Sequence, residues 1–172
     1  MKKLVGVITL AIVALVAFQS VTQDETEKGK KLPTIKLKDM DGNDIVTSEF
    51  TNDGNPIVIS FWATWCKPCK LELNTIAEEY DDWVEETGVK LVAVSVDDSR
   101  TTKMVQPVAN ASGWDYDVWL DVNGDFKRAM GVNFVPHTFL LDGEGNIVWS
   151  HNNFVPGDEE ELYEEILKLS KK

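Results

Sequence analysis

Hydrophobic residues along the chain follow two distinct spacings. Residues 57–62 and 89–96 form nearly continuous apolar runs, which is typical of strands that are buried on both faces. Between them, residues 67–87 carry apolar side chains at intervals of three and four, so this segment is predicted to be a long amphipathic helix. Gly88 follows the last apolar position and is expected to end the helix.

Weaker patterns predict the remaining elements. Residues 34–38 alternate between apolar and polar positions, and after the turn at 41–43 the pair Ile45-Val46 begins a return strand, so an N-terminal hairpin is expected. In chain order, the other predicted elements are a helical segment over 99–112 that Pro107 should kink or divide, a short strand at 119–120, a short helix over 125–130, a hairpin of 137–141 with 147–150, and a helix over 158–169. Alternating strands and helices indicate an α/β fold with a mixed sheet covered by helices, in one domain over residues 32–172.

The first 31 residues have a different character. Residues 1–18 begin with two lysines and continue as an uncharged run of fifteen residues. As a helix this run would span about 22 Å, short of the ~30 Å bilayer core, and it matches a secretory signal peptide. A short uncleaved membrane anchor is the alternative, because no ideal cleavage site surrounds Ala17. Residues 19–31 are polar and aperiodic, as in a flexible leader. In either case, the remainder of the chain is expected outside the cytoplasm.

The composition excludes several classes of protein. The 172 residues include 17 basic and 29 acidic side chains, which gives a formal charge of −12. A surface this negative repels phosphate backbones, so general nucleic-acid binding is excluded. Two cysteines cannot build a disulfide scaffold, and two histidines leave few ligands for a metal site.

Both cysteines lie in the segment Trp65-Cys66-Lys67-Pro68-Cys69, between the apolar strand and the long helix. The unpaired N–H groups at a helix N-terminus stabilise an anion, which favours the thiolate form of Cys66. Cys69 lies three residues later on the same helix face and could attack a mixed disulfide formed on Cys66. Pro68 costs little in the first turn of a helix. The placement therefore indicates a redox-active cysteine pair.

The cysteine pair has two alternative roles, both of them structural. A purely stabilising disulfide is disfavoured, because a loop of four residues contributes only about 2 kcal/mol through chain entropy. Half of a zinc site is disfavoured too, because the remaining ligands would be His137 and His151, and their spacing matches no standard zinc finger.

The segment FWATWCKPCKLEL resembles the thioredoxin-like superfamily, and in particular its exported bacterial branch, the TlpA/ResA-like thiol–disulfide oxidoreductases. The segments LPTIKLKDMDGNDI, LVAVSVDDS and GVNFVPHTFLLDGEGNIV resemble the same branch, so the similarity covers residues 32–170. It implies a thioredoxin-like fold, with a central mixed β-sheet flanked by helices, an N-terminal β-hairpin, and a helix and strand inserted at about residues 99–120.

The resemblance also implies functional residues. Pro136 corresponds to the cis-proline that faces the cysteine pair, and the backbone of Val135 would pair with an extended substrate. An ordinary trans proline at the start of an edge strand is the alternative. The branch has an acid at Glu72 that exchanges a proton with the second cysteine, although a solvated glutamate would also suit this early helical position. The expected substrate-contacting residues are Trp65, Lys67, Pro68, Val135, Pro136 and His137.

Three positions depart from the pattern of the branch. Asn74 stands where a proline is common, and Phe134 and His137 replace smaller or threonine-like residues. His137 is either a titrating neighbour of the disulfide or a plain strand residue. These departures affect the identity of the partner more than the class of reaction.

The resemblance implies an enzyme that exchanges the Cys66–Cys69 dithiol or disulfide with protein substrates, acting as a reductase and serving cytochrome c maturation. It implies no bound cofactor or metal, a membrane electron donor, and a bacterial periplasmic location, with membrane contact only through an uncleaved N-terminal segment. Two alternatives stay open. One is a thiol peroxidase, which would need Thr and Arg around a peroxidatic cysteine. The other is a non-catalytic module that binds an extended peptide beside Pro136.

Overall fold

The computed structural model describes residues 29–170, so the predicted signal peptide or anchor and most of the predicted leader lie outside the described residues. In chain order, its elements are β1 (Lys36–Asp39), β2 (Asp44–Val46), β3 (Ile57–Trp62), α1 (Lys67–Thr87), β4 (Lys90–Ser95), α2 (Val105–Ser112), β5 (Asp117–Leu120), α3 (Asp125–Ala129), β6 (His137–Leu141), β7 (Ile147–Asn152) and α4 (Asp158–Ser170). Short 3₁₀ turns precede β3 at Thr47–Glu49 and α2 at Thr102–Met104.

The seven strands form one mixed sheet in the order β2-β1-β5-β4-β3-β6-β7. Strands β3, β4 and β5 are parallel to one another, whereas β6 pairs antiparallel with β3, and β1 pairs antiparallel with β5. The N-terminal hairpin β1–β2 and the C-terminal hairpin β6–β7 form the two edges. This arrangement confirms the expected α/β class and the thioredoxin-like architecture.

Two apolar cores cover the two faces of the sheet. Because side chains alternate along a strand, β3 sends Val58 and Trp62 to one face and Ile59 and Phe61 to the other. The first face packs against α1, α2 and α4, and the second packs against α3. All six residues of β3 are buried, as its continuous apolar run predicts.

Helix α1 has the predicted bounds. It begins immediately after Cys66 and ends at Gly88, whose φ of 68° lies in the left-handed region that an L-residue adopts only with strain. The hydroxyl of Tyr116 donates to the carbonyl of Leu73, 2.9 Å away, and Trp114 Nε1 donates to Asn74 Oδ1 at 2.8 Å. The inserted segment therefore holds the middle of α1, and Asn74 has a specific contact where the branch commonly has proline.

The segment at 99–112 differs from the prediction. It is helical only from Thr102, first as a 3₁₀ turn and then as α2, and α2 continues without a break through Pro107. Pro107 is the third residue of α2, where backbone N–H groups have no partner within the α-helix, so its missing N–H costs little there. The expected inserted helix and strand are confirmed as α2 and β5.

The chain next to the C-terminal hairpin is more ordered than its composition suggests. Gly29 N donates to the carbonyl of Ile147 at 2.7 Å, and Ile147 N donates to the carbonyl of Lys30 at 2.8 Å. Residues 29–31, at the end of the predicted leader, therefore lie along the start of β7. No helix between residues 29 and 170 is both long enough and apolar enough to cross a bilayer.

The turn between β6 and β7 packs closely on the loop that precedes β3. A Cβ atom added at Gly143 would overlap the backbone carbonyl of Gly54, whereas one added at Gly145 would meet open space. We expect Gly143→Ala to lower the free energy of unfolding by about 3 kcal/mol through overpacking. Gly145→Ala, in the same turn, should cost only about 1 kcal/mol, from its positive φ of 80°.

Urea denaturation of the two oxidised variants would measure this difference. If the backbone φ angle alone decided the loss of stability, Gly145→Ala would be the more destabilising change, because Gly143 has no positive φ. Equal or reversed losses would therefore contradict the close contact between the two turns.

Candidate active site

The two cysteines form a disulfide at the start of α1. Their Cα atoms are 5.4 Å apart, and the backbone N–H of Cys69 donates to the Sγ of Cys66 at 3.2 Å. Cys66 is thus the N-cap residue of the helix, a position at which the helix stabilises a negative charge. Cys66 is 5% exposed and Cys69 is fully buried, so Cys66 is the more accessible of the two cysteines.

A buried aspartate fixes the turn that leads to Cys66. Asp97, just after β4, accepts hydrogen bonds from the backbone N–H of Thr64 at 2.8 Å and from the hydroxyl of Thr64 at 2.6 Å. The hydroxyl of Ser95 donates to the same carboxylate at 2.9 Å. Sequence reasoning missed Asp97, because nothing in the local pattern relates it to a turn 33 residues earlier.

The peptide bond between Val135 and Pro136 is cis, as the resemblance implied. It immediately precedes β6 and brings the carbonyl oxygen of Val135 to 3.7 Å from the Sγ of Cys66. Pro136 is buried, whereas Val135 is partly exposed. Because proline has no N–H, the backbone polar groups of Val135 are those available beside the disulfide.

Two exposed aromatic side chains flank these backbone segments. Trp65 precedes Cys66 in the chain and is 65% exposed, and Phe134 precedes Val135 and is 81% exposed. Lys67 and Pro68 are also exposed in the first turn of α1. Trp62, by contrast, is fully buried with its ring edge-on to Trp114, so it belongs to the core and not to the site surface.

Glu72 is buried in the second turn of α1 and is 4% exposed. Its Oε1 lies 2.5 Å from Thr138 Oγ1 on β6, and its Oε2 lies 3.3 Å from Ser60 Oγ on β3. The two hydroxyls are themselves 3.0 Å apart. Glu72 is therefore not a solvated surface residue: it shares a face of α1 with Cys69 and contacts both central strands.

Burial raises the pKa of Glu72 to about 7, because removal from water disfavours the charged carboxylate. The hydrogen bonds from Thr138 and Ser60 act in the opposite direction, and the negative charge of Asp158 raises the pKa slightly further. A carboxyl group with this pKa is populated in both protonation states near neutral pH, which suits a group that both gives and takes a proton.

His137 lies away from this carboxyl group. It opens β6, pairs with Phe61 and is 7% exposed. Its neighbour Thr138 points towards α1, so His137 points to the opposite face, where its ring stacks on Phe139 with centroids 4.1 Å apart. This placement supports the interpretation of His137 as a strand residue of the second core.

The structure also shows where the residues of the two alternatives, a zinc site and a thiol peroxidase, lie. Within residues 29–170, no three histidine, cysteine or acidic side chains are arranged as metal ligands. His151 pairs with Thr138 and so lies on the other sheet face from His137, which separates the two histidines of the zinc alternative. Arg100 and Arg128 each pair with an aspartate of their own loop or helix, Asp98 and Asp125.

The raised pKa of Glu72 predicts a specific dependence of stability on pH. Below about pH 4.5 the carboxyl is neutral in both the folded and the unfolded chain. As the pH rises from 4.5 to about 7, only the unfolded chain ionises freely, so the free energy of unfolding should fall. The shift corresponds to about 3 kcal/mol at pH 8, and Glu72→Gln should recover it.

Urea denaturation of the oxidised proteins at pH 4 and pH 8 would test this. The difference between Glu72→Gln and the unsubstituted chain should grow by about 3 kcal/mol towards pH 8. Glu160→Gln, at an exposed position on α4, should show no such growth. A difference that is the same at both pH values would contradict the proposed ionisation of Glu72.

Comparison with known proteins places the chain in a family. Residues 28–150 match the sequence model of the AhpC/TSA family. The thiol-disulfide oxidoreductase ResA of Bacillus subtilis (strain 168) is 32% identical over 126 residues, which cover 73% of this chain and 68% of ResA. A thioredoxin-like protein from Porphyromonas gingivalis, solved in solution, is 47% identical, with a TM-score of 0.74 over 81% of this chain and 92% of that protein.

The crystal structure of StoA from Bacillus subtilis is 25% identical to this chain, with a TM-score of 0.61 over 77% of this chain and 97% of StoA. The matched family segment contains both the Cys66–Cys69 disulfide and the cis-proline. The chain therefore belongs to the AhpC/TSA family of thioredoxin-fold proteins and is a thiol–disulfide oxidoreductase related to ResA.

Proposed function

We propose that the chain is an extracytoplasmic protein-disulfide reductase in which Cys66 attacks the substrate and Cys69 resolves the mixed disulfide. The observation that carries this proposal is the asymmetry of the cysteine pair. Cys66 retains 5% exposure beside the carbonyl of Val135, whereas Cys69 is wholly buried on the helix face that it shares with Glu72. Each sulfur has the environment that its step requires.

In the first step, the thiolate of reduced Cys66 attacks one sulfur of a substrate disulfide. A bond forms between Cys66 Sγ and that sulfur, the substrate S–S bond breaks, and the other substrate sulfur leaves as a thiolate. The substrate segment would lie extended along Val135, which offers backbone groups for pairing beside the disulfide. Trp65 and Phe134 would contact apolar side chains that flank the substrate cysteine.

In the second step, Cys69 gives its proton to the carboxylate of Glu72 and attacks Cys66 Sγ. The Cys66–Cys69 disulfide forms, the bond between Cys66 Sγ and the substrate sulfur breaks, and that substrate sulfur leaves as a thiolate. Two electrons have then passed from the enzyme dithiol to the substrate disulfide, and the enzyme is left in the oxidised form. Glu72 is suited to this role because burial raises its pKa to about 7, close to the pH at which it must work.

The N-terminal pattern and the relation to ResA support the rest of the proposal. The basic and apolar start of residues 1–18 favours export, so the enzyme would act in the bacterial periplasm or an equivalent space. Disulfides persist in that compartment, so a reductase there needs a dithiol donor in the membrane to return it to the reduced form. Cytochrome c maturation is the process that we propose it serves.

Replacement of the resolving cysteine should trap substrates. Cys69→Ser keeps the attacking sulfur but removes the thiol that would displace the substrate, so the mixed disulfide on Cys66 should persist. With insulin as the disulfide probe, we expect a covalent complex on a non-reducing gel that disappears with dithiothreitol.

Cys66→Ser is the matched control, because it leaves one cysteine at the same helix end in a fully buried position. It should form no complex. Equal trapping by the two variants, or trapping by neither, would contradict the assignment of Cys66 as the attacking group.

The direction of electron flow can be measured separately. A reductase should have a reduction potential nearer to that of thioredoxin, about −270 mV, than to that of a strong oxidant, about −120 mV. Equilibration of the Cys66–Cys69 pair with glutathione buffers of known ratio gives this value. A potential near the oxidant end would show that the enzyme instead donates disulfides.

A further inference from the structure

A row of polar side chains crosses the sheet beneath α1 and α4. Ser60 on β3 lies opposite Thr138 on β6, and Thr138 lies opposite His151 on β7. Directly opposed residues share a face of the sheet, so all three point to the side that the two helices cover. Glu72 contacts the first two members of the row, and the third, His151, has no part in the cysteine chemistry described above.

His151 is paired with an acid at the start of α4. Its Nε2 lies 3.2 Å from Asp158 Oδ2, which also accepts the backbone N–H of Val155 at 2.7 Å. The side chain of His151 is 33% exposed and that of Asp158 is 23% exposed, so the pair has one side in solvent. The ring of His151 also stacks on Trp149, which fixes its orientation.

A small cavity connects this pair with Glu72. Its volume is about 10 Å³, close to the space that the centre of one water molecule needs. Glu72, His151 and Asp158 all line it, and Ile76, Trp149 and Phe154 contribute apolar walls. Three polar groups around one such position are enough to hydrogen-bond a water molecule.

The other sides of Glu72 are closed. Ser60 is fully buried and Thr138 is 2% exposed, and within α1 both Cys69 and Ile76 are fully buried. The shortest path to solvent for a proton that reaches Glu72 from Cys69 therefore leads through the cavity. The negative charge of Asp158 adds slightly to the rise in the pKa of Glu72.

Two other ionisable groups lie near Glu72, and neither suits the same task. The hydroxyl of Tyr116 donates to the carbonyl of Leu73, and its pKa is raised far above its usual value, mainly by burial, so it stays neutral. Glu159 also lines the cavity, but its carboxylate accepts the backbone N–H of Gly157 at 2.8 Å. His151 is the neighbouring group whose ring has two nitrogens, so that it can accept a proton on one and donate from the other.

We infer that His151, held by Asp158, relays protons between Glu72 and solvent. This inference rests on the proposed role of Glu72 as the proton acceptor for Cys69. His151 acts through Glu72 and does not touch the reacting sulfurs, so it is a positioning and relay residue.

In the relay step, the O–H bond of protonated Glu72 breaks and its proton passes through a solvent water molecule in the cavity to the neutral imidazole. An N–H bond forms on His151, and the imidazolium is stabilised by the Asp158 carboxylate until it releases the proton to bulk water. Glu72 is thereby returned to the carboxylate form. No electrons move in this step, and the reverse sequence supplies a proton when the disulfide is reduced again.

The relay can be tested by stopped-flow reaction of the reduced chain with 5,5′-dithiobis(2-nitrobenzoate). The first thionitrobenzoate is released when Cys66 attacks the reagent, and the second when Cys69 displaces it, so the second phase reports the step that loads Glu72. We expect His151→Gln, which keeps a donor for Asp158 but carries no proton, to slow the second phase about tenfold at pH 7 and to leave the first unchanged. Glu160→Gln, an exposed acid-to-amide change in the first turn of α4, should alter neither phase.

A second variant separates a relay from a structural role. In His151→Ala, added imidazole should restore the second phase, because a free base can occupy the space and carry the proton. A normal second phase in His151→Gln, or no rescue of His151→Ala by imidazole, would overturn the relay while leaving the cysteine chemistry intact. A normal second phase in Glu72→Gln would overturn the role of Glu72, and the relay with it.

Discussion

The antiparallel pairing of β3 with β6 is the constraint on which the active site depends. In this register, the carboxyl end of β3 lies beside the amino end of β6, with Phe61 opposite His137. The cysteine turn that leaves β3 and the cis peptide that precedes β6 therefore meet at the same edge of the sheet. One position further along the same ladder, Ser60 and Thr138 face each other under Glu72. A slip of β6 by one residue would turn the hydroxyl of Thr138 to the other face, away from Ser60 and Glu72.

At the start of α1, next to this edge of the sheet, the two cysteine sulfurs have different environments. The helix N-terminus lies directly at Cys66, so that sulfur has an N–H donor and its residue keeps a small exposed fraction, whereas Cys69 is fully buried on the side of Glu72. Burial of a carboxyl group costs stability when the group is charged. This cost is what raises the pKa of Glu72 towards neutrality, so stability and proton transfer depend on the same contact.

Local patterns predicted most of the fold correctly. The long helix has the bounds that its apolar spacing and Gly88 indicated, and β3 is buried throughout as its composition required. The prediction was weaker where local signals were ambiguous: Pro107 lies in the first turn of α2, and the helix continues through it without a break. β7 was predicted to end at Ser150 but continues to Asn152, which places His151 in the sheet.

By itself, the sequence determined the features that depend on neighbouring residues, namely the amphipathic helix, the buried strands and the cysteine pair at a strand-to-helix junction. Only the tertiary structure decided which groups surround that pair. Glu72 meets Thr138 across 66 residues of chain, and Cys66 meets Val135 across 69. Such contacts follow from strand order and register, which are set by the packing of the whole core, so no pattern within a few residues can specify them.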